Sequence, residues 1–178
     1  WGTAVTAFDL HAPHTELEVT SSSVVETDKG EMPAELVTWD DLAGAGVRDR
    51  FDELLVPTAY TPVSKRLQRV GQRIMKYYDP QEAVIAAANW VDTELDYVPG
   101  TTGVHSSGLD ALREGKGVCQ DFAHLTLILL RSMGIPARYV SGYLHPEVDA
   151  PLDEAEVGES HAWVAAFTGT VWPLDPTS

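Results

Sequence analysis

The feature that most constrains the fold is a helix that is apolar on nearly every side. Residues 122–130 read FAHLTLILL, and an apolar surface this continuous predicts a helix that neighbouring elements cover all round. Gly134 and Pro136 come next, as a glycine cap and a proline that cannot continue the helix. The following residues, 137–144, are typical of a strand. The pattern therefore predicts a central buried helix that leads directly into a strand.

The other helices and strands are indicated by their ends and by their apolar spacing. Asp79, Pro80 and Glu82 combine an acidic N-cap, a first-turn proline and an early acid, which predicts the start of a helix. Before it, apolar residues fall at helical spacing behind a proline: Val63, Leu67, Val70, Ile74 and Tyr78. Weaker patterns predict a short helix at 109–113, a hairpin of 161–167 with 170–174, an N-terminal strand pair of 4–8 with 16–20, and polar loops at 26–42 and 145–159.

Composition limits the partners and the compartment. The chain has 178 residues, enough for one ordinary domain, and a net charge of −15 from 12 basic and 27 acidic residues. An acidic surface repels phosphate, so neither a nucleic acid nor a membrane partner is expected. The chain has one cysteine and cannot form an internal disulfide, which predicts a reducing, cytoplasmic location. Nothing in the sequence indicates an oligomeric state.

Cys119 is the candidate nucleophile. It stands at the start of the predicted buried helix, just after Gly115 and Gly117. A helix N-terminus carries partial positive charge and free N–H groups, which stabilise a thiolate and can hold the oxyanion of an acyl intermediate. The alternative is that Cys119 is only a small buried apolar residue.

His161 and Asp175 are the candidate base and the candidate orienting acid. A thiolate nucleophile needs a proton acceptor within hydrogen-bonding reach, and His161 opens a predicted strand. A three-residue hairpin loop of 167–169 would place Asp175 directly opposite His161, on the same face of the sheet. A two-residue loop would place them on opposite faces. A structural His161 and a turn-forming Asp175 remain open alternatives.

Other polar groups carry weaker signals. His11 and His14 lie near Glu16 but lack further ligands at useful spacing, so no metal and no cofactor are predicted. Asp121 could cap N–H groups at the start of the buried helix, and His124 is expected to be a buried structural residue.

Four segments resemble motifs of the bacterial transglutaminase-like superfamily. They are 117–125 (GVCQDFAHL), 134–143 (GIPARYVSGY), 160–164 (SHAWV) and 174–177 (LDPT), in the family's order of Cys, His and Asp. Together they are highly specific and cover roughly residues 95–178. Segments 12–17 and 23–26 also resemble the β region that often precedes this core in bacterial members.

The resemblance implies an α+β fold of the papain-like kind, in which the nucleophile helix packs on an antiparallel sheet that carries His161 and Asp175. It divides the chain into a partial N-terminal β region, 1–45, and a catalytic core, 46–178. The core comprises a helical lead-in, 46–98, and the Cys-His-Asp part, 99–178, whose C-terminus is expected to be truncated.

The resemblance also implies acyl-enzyme chemistry with Cys119, His161 and Asp175 as catalytic residues. Cys119 would form a thioester from a protein or peptide amide, resolved by water in a protease or amidase, or by an amine in transglutamination. The second oxyanion donor is not evident from the sequence: the backbone N–H of Cys119 is one candidate donor, and a side chain from the 97–107 loop is another. The alternative function is a non-catalytic protein-interaction domain that retains the fold.

Overall fold

The computed structural model describes residues 6–20, 26, 34, 36–103, 105–144 and 159–177. Short helices come first, followed by two longer helices, a buried helix and a sheet. In chain order the elements are α1 (Trp39–Ala43), α2 (Ala45–Arg50), α3 (Asp52–Leu55), α4 (Lys65–Tyr77), α5 (Pro80–Glu94), β1 (Asp96–Tyr97), α6 (Gly108–Glu114), β2 (Lys116–Gly117), α7 (Cys119–Ser132), β3 (Ala137–Leu144), β4 (Glu159–Phe167) and β5 (Val171–Leu174).

The two longer helices before the core both begin at a side-chain cap, of which the sequence predicts the one at Asp79. The Ser64 hydroxyl accepts a hydrogen bond from the Leu67 N–H and starts α4. Asp79 and Glu82 form a reciprocal capping box around Pro80 and start α5. Both predicted helices are therefore confirmed, because local capping satisfies N–H groups that a helix end leaves free.

The centre of the fold is α7. Its apolar side chains are almost completely enclosed: Phe122, Leu125, Leu127, Leu129 and Leu130. The helices α4, α5 and α6 and the strands β3 and β4 all pack on it. The helix ends at Ser132, and Gly134, two residues later, has φ 80° and lies in the left-handed region where glycine is favoured. The buried helix and the strand that follows it are both confirmed.

Two sheets position the ends of this helix. The larger sheet is antiparallel with strand order β3-β4-β5. The smaller one is a parallel pair, in which Asp96 lies beside Lys116 and Tyr97 beside Gly117. This pair brings the end of α5 next to the start of α7.

The predicted N-terminal strand is wrong in the described residues. Residues 6–20 contain no strand, and the side chains of Leu17 and Val19 are 54% and 63% exposed. Alternating apolar residues form a strand only where a neighbouring strand and an apolar surface receive them, and the described residues supply neither to this segment. The rest of the predicted pair, 4–5, and the acidic loop at 145–158 lie outside the described residues. The domain boundary at 45 stays a prediction.

Two further features concern the helices. Helix α1 begins at Trp39, inside the segment 26–42 that was predicted to be a loop, with Thr38 and Asp41 forming its capping box. Among the described residues, no helix is long and apolar enough to cross a bilayer.

Candidate active site

Cys119 is the first residue of α7, at the place where the chain leaves β2. Gly115 takes a left-handed conformation, φ 68°, and ends α6, which lets the chain turn into β2. At Gly117 a Cβ would lie 2.7 Å from the Cβ of Asp121, so this position requires glycine for the chain to approach the helix. The sequence therefore holds the thiol at the amino end of a buried helix, where N–H groups point outward.

Asp121 ties this helix start to the loop before α6. It is fully buried, and its Oδ2 accepts hydrogen bonds from the Val118 N–H and the Thr102 hydroxyl. Its Oδ1 has no hydrogen-bond partner among the described residues. The predicted capping role of Asp121 is confirmed, and the contact with Thr102 is one that the sequence did not indicate.

His161 and Asp175 are hydrogen-bonded to each other. His161 lies on β4, Asp175 follows β5, and 2.7 Å separates His161 Nε2 from Asp175 Oδ2. The second carboxylate oxygen, Oδ1, accepts from the Thr177 N–H at 2.9 Å and from the Thr177 hydroxyl at 2.7 Å. Asp175 is therefore both a turn residue and the partner of His161, because Oδ1 binds Thr177 and Oδ2 binds His161.

These bonds keep the carboxylate charged. Burial alone raises the pKa of Asp175, but the hydrogen bonds from Thr177 and His161 outweigh it and lower that pKa below its usual value. A charged Asp175 fixes the tautomer of His161, because Nε2 is held by the carboxylate and Nδ1 is the ring nitrogen that is left.

The hairpin register differs from the prediction. The loop has three residues, 168–170, and the paired residues are Phe167 with Val171 and Val164 with Leu174. The predicted loop, 167–169, was wrong by one residue, and the ladder as observed would place Asp175 opposite Trp163. Because Trp163 and His161 are two residues apart on β4, all three side chains still share one face.

Trp163 is held next to His161 by a glycine on the neighbouring strand. The ring centroids of His161 and Trp163 lie 6.1 Å apart in a stacked arrangement. A Cβ at Gly142 would lie only 2.5 Å from the indole, so the ring fills the space that this glycine leaves. The sheet therefore orients His161 through two contacts, a carboxylate at Nε2 and an indole beside the ring.

Tyr97 lies close to the start of α7 and shares a cavity with His161. Tyr97, His161 and Thr177 line one cavity of about 310 Å³. Tyr97 also lies beside Gly117 in the strand pair, and burial and then the negative charge of a Cys119 thiolate raise the pKa of Tyr97. In the described part of the chain no hydrogen bond joins Cys119 to His161 directly. Bonds between a nucleophile and its base are commonly long in the absence of substrate.

A second cavity, of about 380 Å³, flanks α7 on the side of His124. The His124 ring lies between Tyr60 and Tyr139, with centroids 5.3 and 5.2 Å away. Its Nδ1 is buried with no hydrogen-bond partner among the described residues, and burial lowers the pKa of His124. His124 is the buried, structural histidine that the sequence predicts.

The described residues contain no group of three or more His, Cys, Asp and Glu side chains that could hold a metal ion. His14 Nδ1 lies 3.0 Å from the Ala12 carbonyl oxygen, and His11 faces Asp9 at 3.5 Å with both side chains exposed.

The family model described as the transglutaminase-like superfamily matches residues 68–176, from near the start of α4 to the residue after Asp175. This chain belongs to the transglutaminase-like superfamily. The predicted resemblance is therefore confirmed, and it covers all three candidate catalytic residues. Membership supports an enzyme that uses a thiol, and it leaves the reaction to be established.

Two mycobacterial relatives extend beyond this chain. An uncharacterized protein of Mycobacterium leprae (strain TN) is 64% identical over 178 residues, covering 100% of this chain and 64% of that protein. An uncharacterized protein of Mycobacterium tuberculosis (strain H37Rv) is 27% identical over 184 residues, covering 94% of this chain and 56% of that protein. The chain thus spans less than two thirds of the length of these relatives.

Solved structures bear out the predicted fold, a mixed domain with an antiparallel sheet. A candidate cysteine protease from Cytophaga hutchinsonii has a TM-score of 0.59 and 30% identity over 72% of this chain and 42% of that one. The periplasmic domain of TgpA from Pseudomonas aeruginosa has a TM-score of 0.55 and 27% identity over 73% of this chain and 47% of that one. The cytoplasmic location of this chain stays a prediction.

Three residues near the site were not singled out from the sequence. Thr177 follows Asp175 by two positions, the spacing at which a hydroxyl or N–H can bond an Asp side chain, so this contact had a local signal. Trp163 and Tyr97 lie within segments that the resemblance marks, 160–164 and 97–107, but no signal distinguished them individually, because an aromatic residue in a strand usually packs in the core.

Proposed function

We propose that this chain is a cysteine-nucleophile enzyme that cleaves an amide bond of a protein or peptide. The observation that carries the proposal is the 2.7 Å bond between His161 and Asp175, facing the cavity at the amino end of the helix that begins with Cys119. An imidazole held by a charged carboxylate can take a proton from a thiol and remain stable as a cation.

The reaction proceeds in two halves. The Sγ of Cys119 attacks the carbonyl carbon, His161 gives its proton to the leaving nitrogen, and the C–N bond breaks to leave a thioester. Water then gives a proton to His161 and attacks the thioester carbon, and the C–S bond breaks to restore the thiolate and the imidazolium. Asp175 stays charged throughout and holds the ring.

Hydrolysis is the first proposed outcome, and the likeness to a candidate cysteine protease supports it. Transfer to a primary amine is the second, since the same thioester serves both. The two outcomes are separated by incubating the protein with a glutamine peptide, with and without a fluorescent primary amine. Peptide acid as the only product supports hydrolysis, and a fluorescent peptide adduct supports transfer.

The decisive experiment measures the rate of iodoacetamide alkylation against pH. Cys119 is the single cysteine of the chain, so the reagent reports on one thiol. A proton acceptor beside a thiol makes the reactive thiolate available at a pH where an unassisted cysteine is mostly protonated. We expect fast alkylation at pH 6 in the wild type. In His161→Ala we expect the alkylation rate to fall about 10²-fold, because an unassisted thiol is almost entirely protonated at that pH.

His124→Gln is the matched control. His124 lies on α7 and has the same exposure as His161, 8%, but it lines the other cavity. We expect this variant to alkylate like the wild type. Each variant is checked for folding by circular dichroism. A folded wild type whose thiol titrates near the unperturbed value would contradict the proposal and favour a protein-interaction domain that retains the fold.

A further inference from the structure

Helix α4 is strongly basic in a chain that is strongly acidic. Its 13 residues include none of the 27 acidic residues of the chain, whose net charge is −15. They do include five of the chain's 12 basic residues: Lys65, Arg66, Arg69, Arg73 and Lys76. Positive charge is therefore concentrated on this helix instead of being mixed with the more numerous acids.

Four of these residues form one exposed row, which we call the basic face. They are spaced by three, four and three residues, so they lie on the same side of the helix: Arg66, Arg69, Arg73 and Lys76. The residues that turn toward the core are buried: Leu67, Val70 and Ile74. The basic face is thus the outer side of a helix whose inner side is packed.

This charge pattern costs the helix stability. Like charges three or four residues apart on a helix repel one another, and basic side chains in the first turn oppose the helix dipole. Lys65 and Arg66 occupy that first turn, which contains no acidic residue. A single acid in the row would relieve the repulsion, so the stability of α4 gives no reason for keeping the row basic.

The basic face borders an open groove of about 550 Å³ that lies between α4 and α5. Val70 and the half-buried Trp90 supply its apolar lining. The Cζ atom of Arg66 lies 6.0 Å from the centre of the Trp90 ring. The groove therefore offers an apolar surface beside a row of cations, which suits a ligand with both a chain and charges.

Most of the positive charge in this groove is unpaired. Glu94 is the acidic residue that lines it, and Arg66 Nη2 donates to Glu94 Oε2 at 2.6 Å. Within the described part of the chain, no carboxylate forms an ion pair with the other three cations: Arg69, Arg73 and Lys76. A guanidinium presents a planar fork of donors that matches a carboxylate, so two free guanidinium groups and an ammonium fit several carboxylates in succession.

The size of the row indicates a short ligand. Ten residues of helix separate Arg66 from Lys76, which is about 15 Å, the length of about five residues of extended peptide. A bilayer or a duplex nucleic acid extends far beyond this length. Its phosphates would come within a Debye length, about 8 Å, of the acidic remainder of the surface and be repelled.

We propose that the basic face binds an acidic segment of a partner polypeptide, about five residues long, whose carboxylates pair with Arg69, Arg73 and Lys76. None of these three residues lines the cavity that holds His161. The surface is therefore separate from the candidate active site, and the inference does not depend on the proposed reaction.

The test measures the fluorescence anisotropy of a rhodamine-labelled hexaglutamate peptide as the protein is added at low ionic strength. A hexaglutamine peptide with the same label is the neutral reference. We expect hexaglutamate to bind at least about tenfold more tightly, because carboxylates form charge-assisted bonds and amides do not. Added salt should weaken the binding, since the charges on both partners are exposed.

Arg69→Glu is the decisive variant, because it reverses one charge at the middle of the row. We expect the affinity for hexaglutamate to fall at least about tenfold, the effect of losing one charge-assisted bond. The new acid stands four residues before Arg73, in the order that stabilises a helix. We therefore expect Tm to rise by about two degrees, so lost binding cannot be attributed to unfolding.

Arg48→Glu is the matched control. Arg48 is exposed in α2 and does not line the groove, and the substitution changes the net charge by the same amount. We expect its affinity for hexaglutamate to stay within about twofold of the wild type.

The outcomes decide both the surface and its ligand. Lost binding in Arg69→Glu with retained binding in Arg48→Glu supports the proposal. Equal losses in the two variants, or equal binding of the two peptides, would overturn it. Tighter, Arg69-dependent binding of phosphatidylglycerol vesicles or of a short single-stranded DNA would overturn the polypeptide as the ligand. Because Cys119 takes no part in the measurement, none of these results bears on the proposed function.

Discussion

One histidine lies beside each of two flanks of α7, and the two histidines differ in their hydrogen-bond partners. His161 and His124 are equally enclosed, at 8% exposure, and each lines a cavity and has an aromatic neighbour. On one flank the imidazole is bonded to the carboxylate of Asp175. On the other flank the imidazole lies between the rings of Tyr60 and Tyr139, and its Nδ1 has no partner among the described residues.

The difference shows that the surroundings, and not the residue type or its burial, determine what a histidine can do. A bonded carboxylate supports the imidazolium that must form when a thiol gives up its proton. Burial without such a bond disfavours the cation, and it lowers the pKa of His124 even though the charge of Asp121 acts in the opposite direction. One flank is suited to proton transfer and the other to packing.

The largest expected effect comes from removing the carboxylate. Asp175→Ala should lower the rate of p-nitrophenyl acetate acylation at pH 7 by about 10²-fold, because His161 loses the group that fixes its tautomer and stabilises its charged form. Tyr60→Ala, which removes a ring from the other histidine, should cost less than about threefold. Equal losses in the two variants would show that the flanks do not differ as described.

A smaller effect is expected from the second partner of the carboxylate. Thr177→Val removes the hydroxyl that bonds Asp175 Oδ1, so the pKa of Asp175 should rise toward its usual value. Since Asp175 must be charged, the acidic limb of the pH–rate profile should move to higher pH, with a fall in rate of about threefold to tenfold at low pH. Thr177→Ser keeps the hydroxyl and should retain the wild-type profile, and a shift in that variant too would rule out the hydroxyl as the cause.

The smallest effect concerns stability. Because the folded-state pKa of His124 is lowered, the unfolded chain binds its proton more readily. The corresponding stability is complete above the unfolded value of about 6.5 and is lost as pH falls toward the folded-state value. His124→Gln should therefore flatten the decline of Tm between pH 7 and pH 5 by a few degrees, since about 1 kcal/mol corresponds to roughly 2–4 °C in a chain of this size. A decline of Tm as steep as that of the wild type would show that another group causes the loss of stability at low pH.

Much of the helical part could be predicted because its signals are local. Caps at Ser64 and Asp79, the left-handed glycines and the fully apolar surface of α7 each act within a few residues of the chain. The N-terminal strand could not be predicted in the same way, because the alternation of Leu17 and Val19 describes a surface that must be covered by something distant in sequence.

The candidate site was predictable in its residues but not in all of its contacts. The hairpin register was wrong by one residue in its loop, yet His161 and Asp175 share a face, because the error left the alternation of side chains unchanged. The contacts of Asp121 with Thr102 and of Trp163 with Gly142 join segments that only the fold brings together.

By itself the sequence determined the positions of the longer helices α4, α5 and α7, which helix is buried, and that a thiol stands at its amino end. These follow from capping, glycine conformation and apolar periodicity, whose range is a turn or two of chain. Only the tertiary structure decided which histidine meets a carboxylate, and which hydroxyl bonds Asp121. Those choices depend on the packing of strands and helices far apart in the chain, where a displacement of one residue or one ångström decides whether two polar atoms can bond.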